Sequence, residues 1–119
     1  MAAFRALLLL IFATIVGYTG VVVSNHGLGL FSVFFGDIAR MEWAGQFNLD
    51  FLGFLCLSGV WLAWRHQFSA GGLALGVLGF FGGAPVLTAY LFFATFRCGG
   101  DVGVLLLGPA RAGDHATAA

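Results

Sequence analysis

The chain has 119 residues, of which 61% are hydrophobic and 8% are charged, and its five arginines balance five acidic residues. Soluble domains carry about 25% charged residues, so this composition excludes an ordinary water-facing surface and indicates an integral membrane protein. A net charge of zero also argues against binding to nucleic acid, which requires a basic surface. We therefore expect the lipid bilayer to be the chain's main partner.

Three apolar runs are long enough to cross a membrane, at about 6–23, 47–64 and 71–96. Crossing about 30 Å of hydrocarbon takes roughly 20 helical residues. We predict an all-α membrane fold with three transmembrane helices. The first run could instead be a signal peptide, but it is longer than a typical signal core and no clear cleavage site follows it. In the third run, Pro85 predicts a kink.

The segment between the first two runs has a different pattern. From about residue 30 to residue 41, apolar side chains recur at helical spacing, while Asp37 and Arg40 lie on the other side. This pattern is typical of an amphipathic helix in the headgroup plane, with Trp43 as an interfacial anchor. A re-entrant loop is the alternative, and it would need protein cover for its backbone.

The carboxyl-terminal part is predicted from its length and polarity. The apolar stretch 102–107 is too short to span, so we expect it at the interface or docked on the helices. Residues 108–119 are expected to form a disordered tail. The domain prediction is one membrane domain over 1–107.

Small residues form stripes on the predicted helices. Gly72, Gly76, Gly79 and Gly83 lie on one narrow face of the third span, and Gly17 and Gly20 belong to a similar face of the first. Helices in lipid associate through close backbone approach, so these faces predict helix packing. The sequence leaves open whether they meet within one chain or between chains.

The best candidate for chemistry is Asp50, because ionisable residues in spans often mark functional sites. Its alternative role is structural: if Asn48 caps the second span, Asp50 lies in the first turn and suits the helix dipole. Three antiparallel spans would place one set of polar residues together on one side. This set is His26, Asp37, Arg40, Glu42, Asn48, Asp50, Arg97 and Asp101.

A catalytic interpretation draws on the same set. Asp50 would act as the acid, with His26 or Glu42 assisting, and His26 or Arg97 would be its partner. No metal-ligand spacing and no cofactor-binding motif is present in the sequence, so we predict no metal and no cofactor.

The end of the second span predicts an anchor at the membrane surface. Arg65 and His66 follow Trp64 there, and we expect them to snorkel to the interface. Tyr90 could hydrogen-bond across helices or serve only in packing. Arginines divide almost evenly between the two predicted sides, so the positive-inside rule gives no orientation.

The order of these landmarks resembles that of small bacterial three-helix membrane proteins of unknown function. Such proteins carry an H-G-L sequence after the first span and an acidic residue that opens the second. Here these are His26-Gly27-Leu28 and Asp50, and the resemblance covers most of residues 1–97. It implies a three-helix membrane fold and carries no activity with it.

These observations favour a multi-pass protein of a bacterial inner membrane that acts as an accessory or oligomerising component. Its expected partners are a second copy or a larger membrane complex. Two alternatives remain open. One is a membrane enzyme that acts on a lipid or isoprenoid through Asp50, and the other is an oligomeric transporter or channel.

Overall fold

The computed structural model describes residues 1–118, with side chains described as far as Gly113. All regular structure in this part of the chain is helical. Its elements are α1 (Ala2–His26), α2 (Leu30–Ala39), α3 (Trp43–Arg65), α4 (Ala70–Thr95), α5 (Val102–Leu107) and α6 (Pro109–Ala118). Three of them, α1, α3 and α4, are long and apolar enough to cross a membrane, and α2 is a fourth, short apolar helix. This confirms the predicted all-α fold of a multi-pass membrane protein.

The first helix is longer than its apolar run and begins almost at Met1. It ends at His26 because Gly27 follows with φ of 75°, a conformation that glycine adopts without strain. The short helix α2 begins at Leu30, as predicted, and ends at Ala39. A left-handed residue, Met41, then turns the chain into α3.

Helix α3 begins at Trp43, four residues before the predicted start of the span, and α2 packs against its first turns. Gly45 allows the contact, since a side chain there would collide with the carbonyl oxygen of Asp37. The side-chain amide of Asn48 donates a hydrogen bond to the carbonyl oxygen of Phe34 on α2, at 3.1 Å. The prediction that Asn48 caps the helix is therefore wrong. Glu42 is the N-cap residue, and Asp50 lies beyond the first turn.

The fourth helix is broken in its middle. Gly83 has φ of 63° and ψ of −145°, which no α-helix contains, and Pro85 follows two residues later as the chain starts a new helix. The predicted kink near Pro85 is thus present, but its hinge is Gly83. It is also far sharper than the bend that a proline alone produces.

Both ends of α4 lie beside the end of α3. At the first end, a Cβ built on Gly72 would be 2.7 Å from the Cβ of His66. Near the other end, the Tyr90 hydroxyl lies 2.5 Å from Nε2 of the same His66. In a straight helix Gly72 and Tyr90 would be about 27 Å apart. Helix α4 is therefore a hairpin, with a first arm (70–82) and a second arm (84–95).

The first arm packs along α3 through glycines. A Cβ on Gly76 would lie 2.8 Å from the carbonyl oxygen of Gly59, and a Cβ on Gly59 would lie 2.8 Å from that of Gly76. Gly79 instead leaves room for the side chain of Leu62, and Gly83 lies beside the ring of Phe51 further along α3. The two backbones can approach this closely only because neither helix carries side chains at the crossing.

The second arm packs against α1. Leu8 and Phe12 of α1 line a small cavity with Thr88 and Phe92 of this arm, and Arg5 reaches Thr95. The arm ends at Gly83, so the second half of α1 has no neighbour. Every residue from Val16 to His26 is exposed.

The segment after α4 folds back onto the helices. Leu105 of α5 is buried with Ala94 and Cys98, so the docked alternative for 102–107 is the one observed. The expected disordered tail is helical from Pro109 to Ala118, and residue 119 lies outside the described residues. Proline is favoured in the first turn of a helix, because its missing N–H would have no partner there.

Candidate functional site

The densest polar cluster of the described residues surrounds Arg65 at the last turn of α3. Its side chain is only 9% exposed, because α5 covers it. Nε donates to the carbonyl oxygen of Leu105 at 2.8 Å, Nη2 to that of Val104 at 3.3 Å, and Nη1 to the hydroxyl of Tyr90 at 2.6 Å. The prediction that Arg65 snorkels to the surface is therefore wrong.

Tyr90 links this arginine to His66. Its hydroxyl accepts from Arg65 and lies 2.5 Å from Nε2 of His66, and the two rings meet edge to face. A guanidinium can only donate, so the hydroxyl oxygen accepts from Arg65 and its proton is available to a neutral His66. The donor in the Tyr90–His66 contact depends on the His66 tautomer. Of the two roles considered for Tyr90, the hydrogen bond across helices is the one observed.

The pKa of His66 is lowered from its ordinary value of 6.5, and partial burial is the larger cause. The positive charge of the neighbouring Arg65 lowers it further. Both effects disfavour the imidazolium, in agreement with the hydrogen-bond geometry. The Arg65–Tyr90–His66 chain therefore places one buried cation beside an imidazole whose charged form is disfavoured.

Two more arginines at this end of the molecule also bind carbonyl oxygens that close a helix. Arg5 donates to the Oγ1 and carbonyl oxygen of Thr95, at 2.8 and 3.0 Å, where α4 ends. Arg111 donates to the carbonyl oxygen of Trp64 at 3.0 Å, where α3 ends. Last-turn carbonyls lack intrahelical partners and carry the negative end of the helix dipole, so they stabilise these cations. The only ion pair between described residues joins Arg40 to Asp37, at 3.2 Å.

The four side chains predicted for catalysis form no hydrogen bond or ion pair with one another. Asp50, His26 and Glu42 are all exposed, near the end of the molecule where α2 lies. None of their described side chains forms a hydrogen bond or an ion pair. Arg97 lies at the opposite end, where its charge acts on Tyr90. The predicted partnership between Asp50 and Arg97 is therefore wrong.

The hairpin explains this error. Three straight spans would have carried Arg97 and Asp101 to the side of Asp50. Because α4 turns back at Gly83, both residues follow Thr95 to the end where Arg5 and Arg65 lie. We call this end, with the start of α1, the end of α3 and both ends of α4, the arginine end. The other end, with α2 and the start of α3, is the α2 end.

The six glycines predicted to pack helices divide into two groups. The four on α4 are buried against α3 or its adjoining turn in the same chain, so their faces meet intramolecularly. Gly17 and Gly20 on α1 are exposed, and a Cβ added to either would meet nothing within 4 Å. The question that the sequence left open is thus answered for α4 and remains open for α1.

An apolar groove of about 330 Å³ lies between α3 and the hairpin bend. Phe51, Leu55, Trp61 and Leu87 contribute to its walls. It also holds Ser58, whose buried Oγ has no hydrogen-bond partner among the described side chains and backbone. The lining suits hydrocarbon, such as a lipid tail, better than a polar small molecule.

Sequence reasoning missed the Arg65 cluster because its acceptors are backbone carbonyls of α5. Such acceptors leave no trace in the residue types. One signal was available: Trp61 and Arg65 are four residues apart, so they share a helix face, and both donate to α5, Trp61 through Nε1 to Leu106 at 3.0 Å. Placing two donors on one face predicts an acceptor surface opposite.

No protein-family model matches this chain, and no curated protein and no solved structure is significantly similar to it.

Proposed function

We propose that this small membrane protein is an accessory component that self-associates through one face of α1. That face carries Ala13, Gly17, Gly20 and Ser24, at spacings of four, three and four residues. At about 100° per residue they form one narrow stripe. The exposure of this stripe on a helix whose other face is packed is the observation that carries the proposal.

The packed face of α1 points the other way. Phe4, Leu8, Ile11 and Ile15 are among the partly or fully buried positions of α1, and they lie roughly opposite the stripe. The stripe is therefore not a surface that the chain itself covers. Helices associate in lipid through small side chains of this kind, which allow backbone contact and dispersion.

A second copy of the chain is the partner that fits the stripe best. Two copies in one membrane have the same orientation, so a two-fold axis along the membrane normal brings their α1 helices together in parallel. Small residues spaced by four, as from Ala13 to Gly17 and from Gly20 to Ser24, suit close crossing of such parallel helices. The second half of α1 also extends beyond the hairpin, so no other element obstructs approach there.

The proposal is tested by disulfide crosslinking in native-like membranes. In a cysteine-free background (Cys56→Ala, Cys98→Ala), a single Gly17→Cys substitution should form a dimer under mild oxidation. Val22→Cys, on the opposite face, is the matched control and should crosslink several-fold less.

A second measurement uses bulk instead of a reactive group. Gly20→Leu should shift the chain from dimer to monomer on native mass spectrometry in mild detergent, while Val22→Leu should not. If the unaltered protein is monomeric in both detergent and membranes, self-association is excluded. A complex with another protein through the same stripe would overturn the choice of a second copy.

A further inference from the structure

We infer that α4 is a re-entrant hairpin that enters and leaves the membrane on the same side, and that this side, the arginine end, faces the cytoplasm. The chain would then cross the bilayer twice, through α1 and α3. This inference goes beyond self-association and does not depend on it.

The two ends of α4 lie near the end of α3 and the start of α1. Ala70 follows α3 after a short turn, and Gly72 lies against His66 at the end of α3. At the other end, Thr95 binds Arg5 at the start of α1. Because α1 and α3 run in opposite directions, the start of one and the end of the other belong to the same side. Both ends of α4 are bound to that side.

Each arm of α4 is too short to cross the hydrocarbon layer of a bilayer. Each contains 12 or 13 residues and so extends about 18–20 Å, well short of the roughly 30 Å of hydrocarbon. The bend at Gly83 lies beside Phe51 and Leu55, part of the way along α3. Irregular backbone at this depth is tolerated only where protein covers it. Gly83 meets this condition because it is buried.

The hairpin places four of the five arginines at one end of the molecule. Arg5, Arg65, Arg97 and Arg111 all belong to the arginine end, which leaves Arg40 alone at the α2 end. With three straight spans the arginines would divide as two against three. Positive residues near span ends favour the cytoplasmic side. A four-to-one division therefore specifies an orientation that three straight spans would not.

The experiment is single-cysteine labelling with a membrane-impermeant maleimide. In the cysteine-free background, one cysteine is introduced at Ala3, at Leu28 or at Ala110, all of which are exposed. Each variant is labelled in right-side-out and in inverted vesicles from a bacterial host. Leu28→Cys is the internal control, because it lies beyond the end of α1 and marks the α2 end.

The hairpin requires Ala3→Cys and Ala110→Cys to be labelled from one side and Leu28→Cys from the other. Labelling of Ala110→Cys from the same side as Leu28→Cys would mean that α4 crosses, and it would overturn the hairpin. Labelling of Ala3→Cys and Ala110→Cys only in inverted vesicles supports the cytoplasmic assignment. Labelling of both only in right-side-out vesicles would overturn that assignment.

A second measurement keeps the native cysteines. Fusions of the full chain to green fluorescent protein and to alkaline phosphatase, each placed after residue 119, report the side without labelling. We expect the fluorescent protein fusion to be fluorescent and the phosphatase fusion to be inactive. Active phosphatase with loss of fluorescence would contradict a cytoplasmic location of this end.

Discussion

The hydroxyl of Tyr90 lies 2.5 Å from Nε2 of His66, although the two residues are 24 positions apart on different helices. The contact is possible only because α4 turns back at Gly83. It also completes a chain of hydrogen bonds from His66 through Tyr90 to Arg65 and on to the carbonyl oxygens of α5. One polar chain thus connects α3, the hairpin and α5.

The first prediction concerns the buried cation. Arg65→Met removes the donor to the carbonyl oxygens of Leu105 and Val104 and to the Tyr90 hydroxyl. Val104 keeps the N–H of Gly108 and Tyr90 keeps His66, so the Leu105 carbonyl is the acceptor most affected. We expect the free energy of unfolding to fall by about 3 kcal/mol. The measurement is denaturation in mixed micelles followed by circular dichroism.

Arg40→Met is the matched control, because Arg40 is 68% exposed and its ion pair with Asp37 lies at the surface. Exposed pairs contribute about 0–1 kcal/mol, so little change is expected. Equal effects of the two substitutions would contradict the structural role of Arg65.

The second prediction concerns pH. The folded chain lowers the pKa of His66 through burial and the Arg65 charge, so the unfolded chain binds more protons just below pH 6.5. Stability should therefore be complete above pH 6.5 and fall as the pH drops from there towards the folded pKa. Thermal unfolding at a series of pH values measures this decline.

His66→Gln is neutral at every pH, so its stability should vary less over the same interval. A His66→Gln variant with the pH profile of the unaltered protein would show that another group causes the decline.

The sequence predicts the helices well, because a long apolar run has few alternatives in water or lipid. The three long apolar helices and the amphipathic α2 follow from hydropathy and spacing, whereas the choice between an interfacial and a docked 102–107 stretch does not. The hairpin does not. A Gly-Gly-Ala-Pro sequence is compatible with a modest kink or with a full reversal, and contacts between distant residues decide which one forms. Here Gly83 adopts φ of 63°, and its neighbours on α3 accept the bend.

The candidate site was harder to predict for the same reason. A straight α4 would place Arg97 on the side of Asp50, and this made Asp50 the main candidate. Arg65 was undervalued because an arginine at a helix end is usually solvated, and its burial depends on α5. Backbone carbonyl acceptors are invisible in residue types, so their position has to come from the tertiary structure.

The third prediction concerns the glycine contact between α3 and α4. Gly76→Ala adds a methyl group 2.8 Å from the carbonyl oxygen of Gly59, so the backbones must separate. We expect a loss of about 1–3 kcal/mol in unfolding free energy, the usual cost of overpacking. Unfolding in mixed micelles measures it.

Gly71→Ala is the control on the same arm, since a Cβ there meets nothing within 4 Å. Alanine favours a helix over glycine, so this variant should be neutral or slightly stabilised. A similar loss in both variants would contradict the α3–α4 contact as its cause.

The fourth prediction separates the two roles considered for Asp50. Its carboxylate is exposed on α3, 15 residues before Arg65, or about 22 Å along the helix. A charge facing lipid is costly, by about 2.5–3.5 kcal/mol at the bilayer centre and less towards the interface. Asp50→Asn removes the charge and keeps the shape, so we expect the free energy of unfolding to rise by up to about 1 kcal/mol. Glu42→Gln, at the N-cap of α3 and also exposed, removes a charge that favours the helix dipole, so the free energy of unfolding should fall slightly. If Asp50→Asn instead lowers stability or prevents dimer crosslinking at Gly17→Cys, the carboxylate has a partner in the assembled protein. That outcome would support a role for Asp50 in self-association or catalysis.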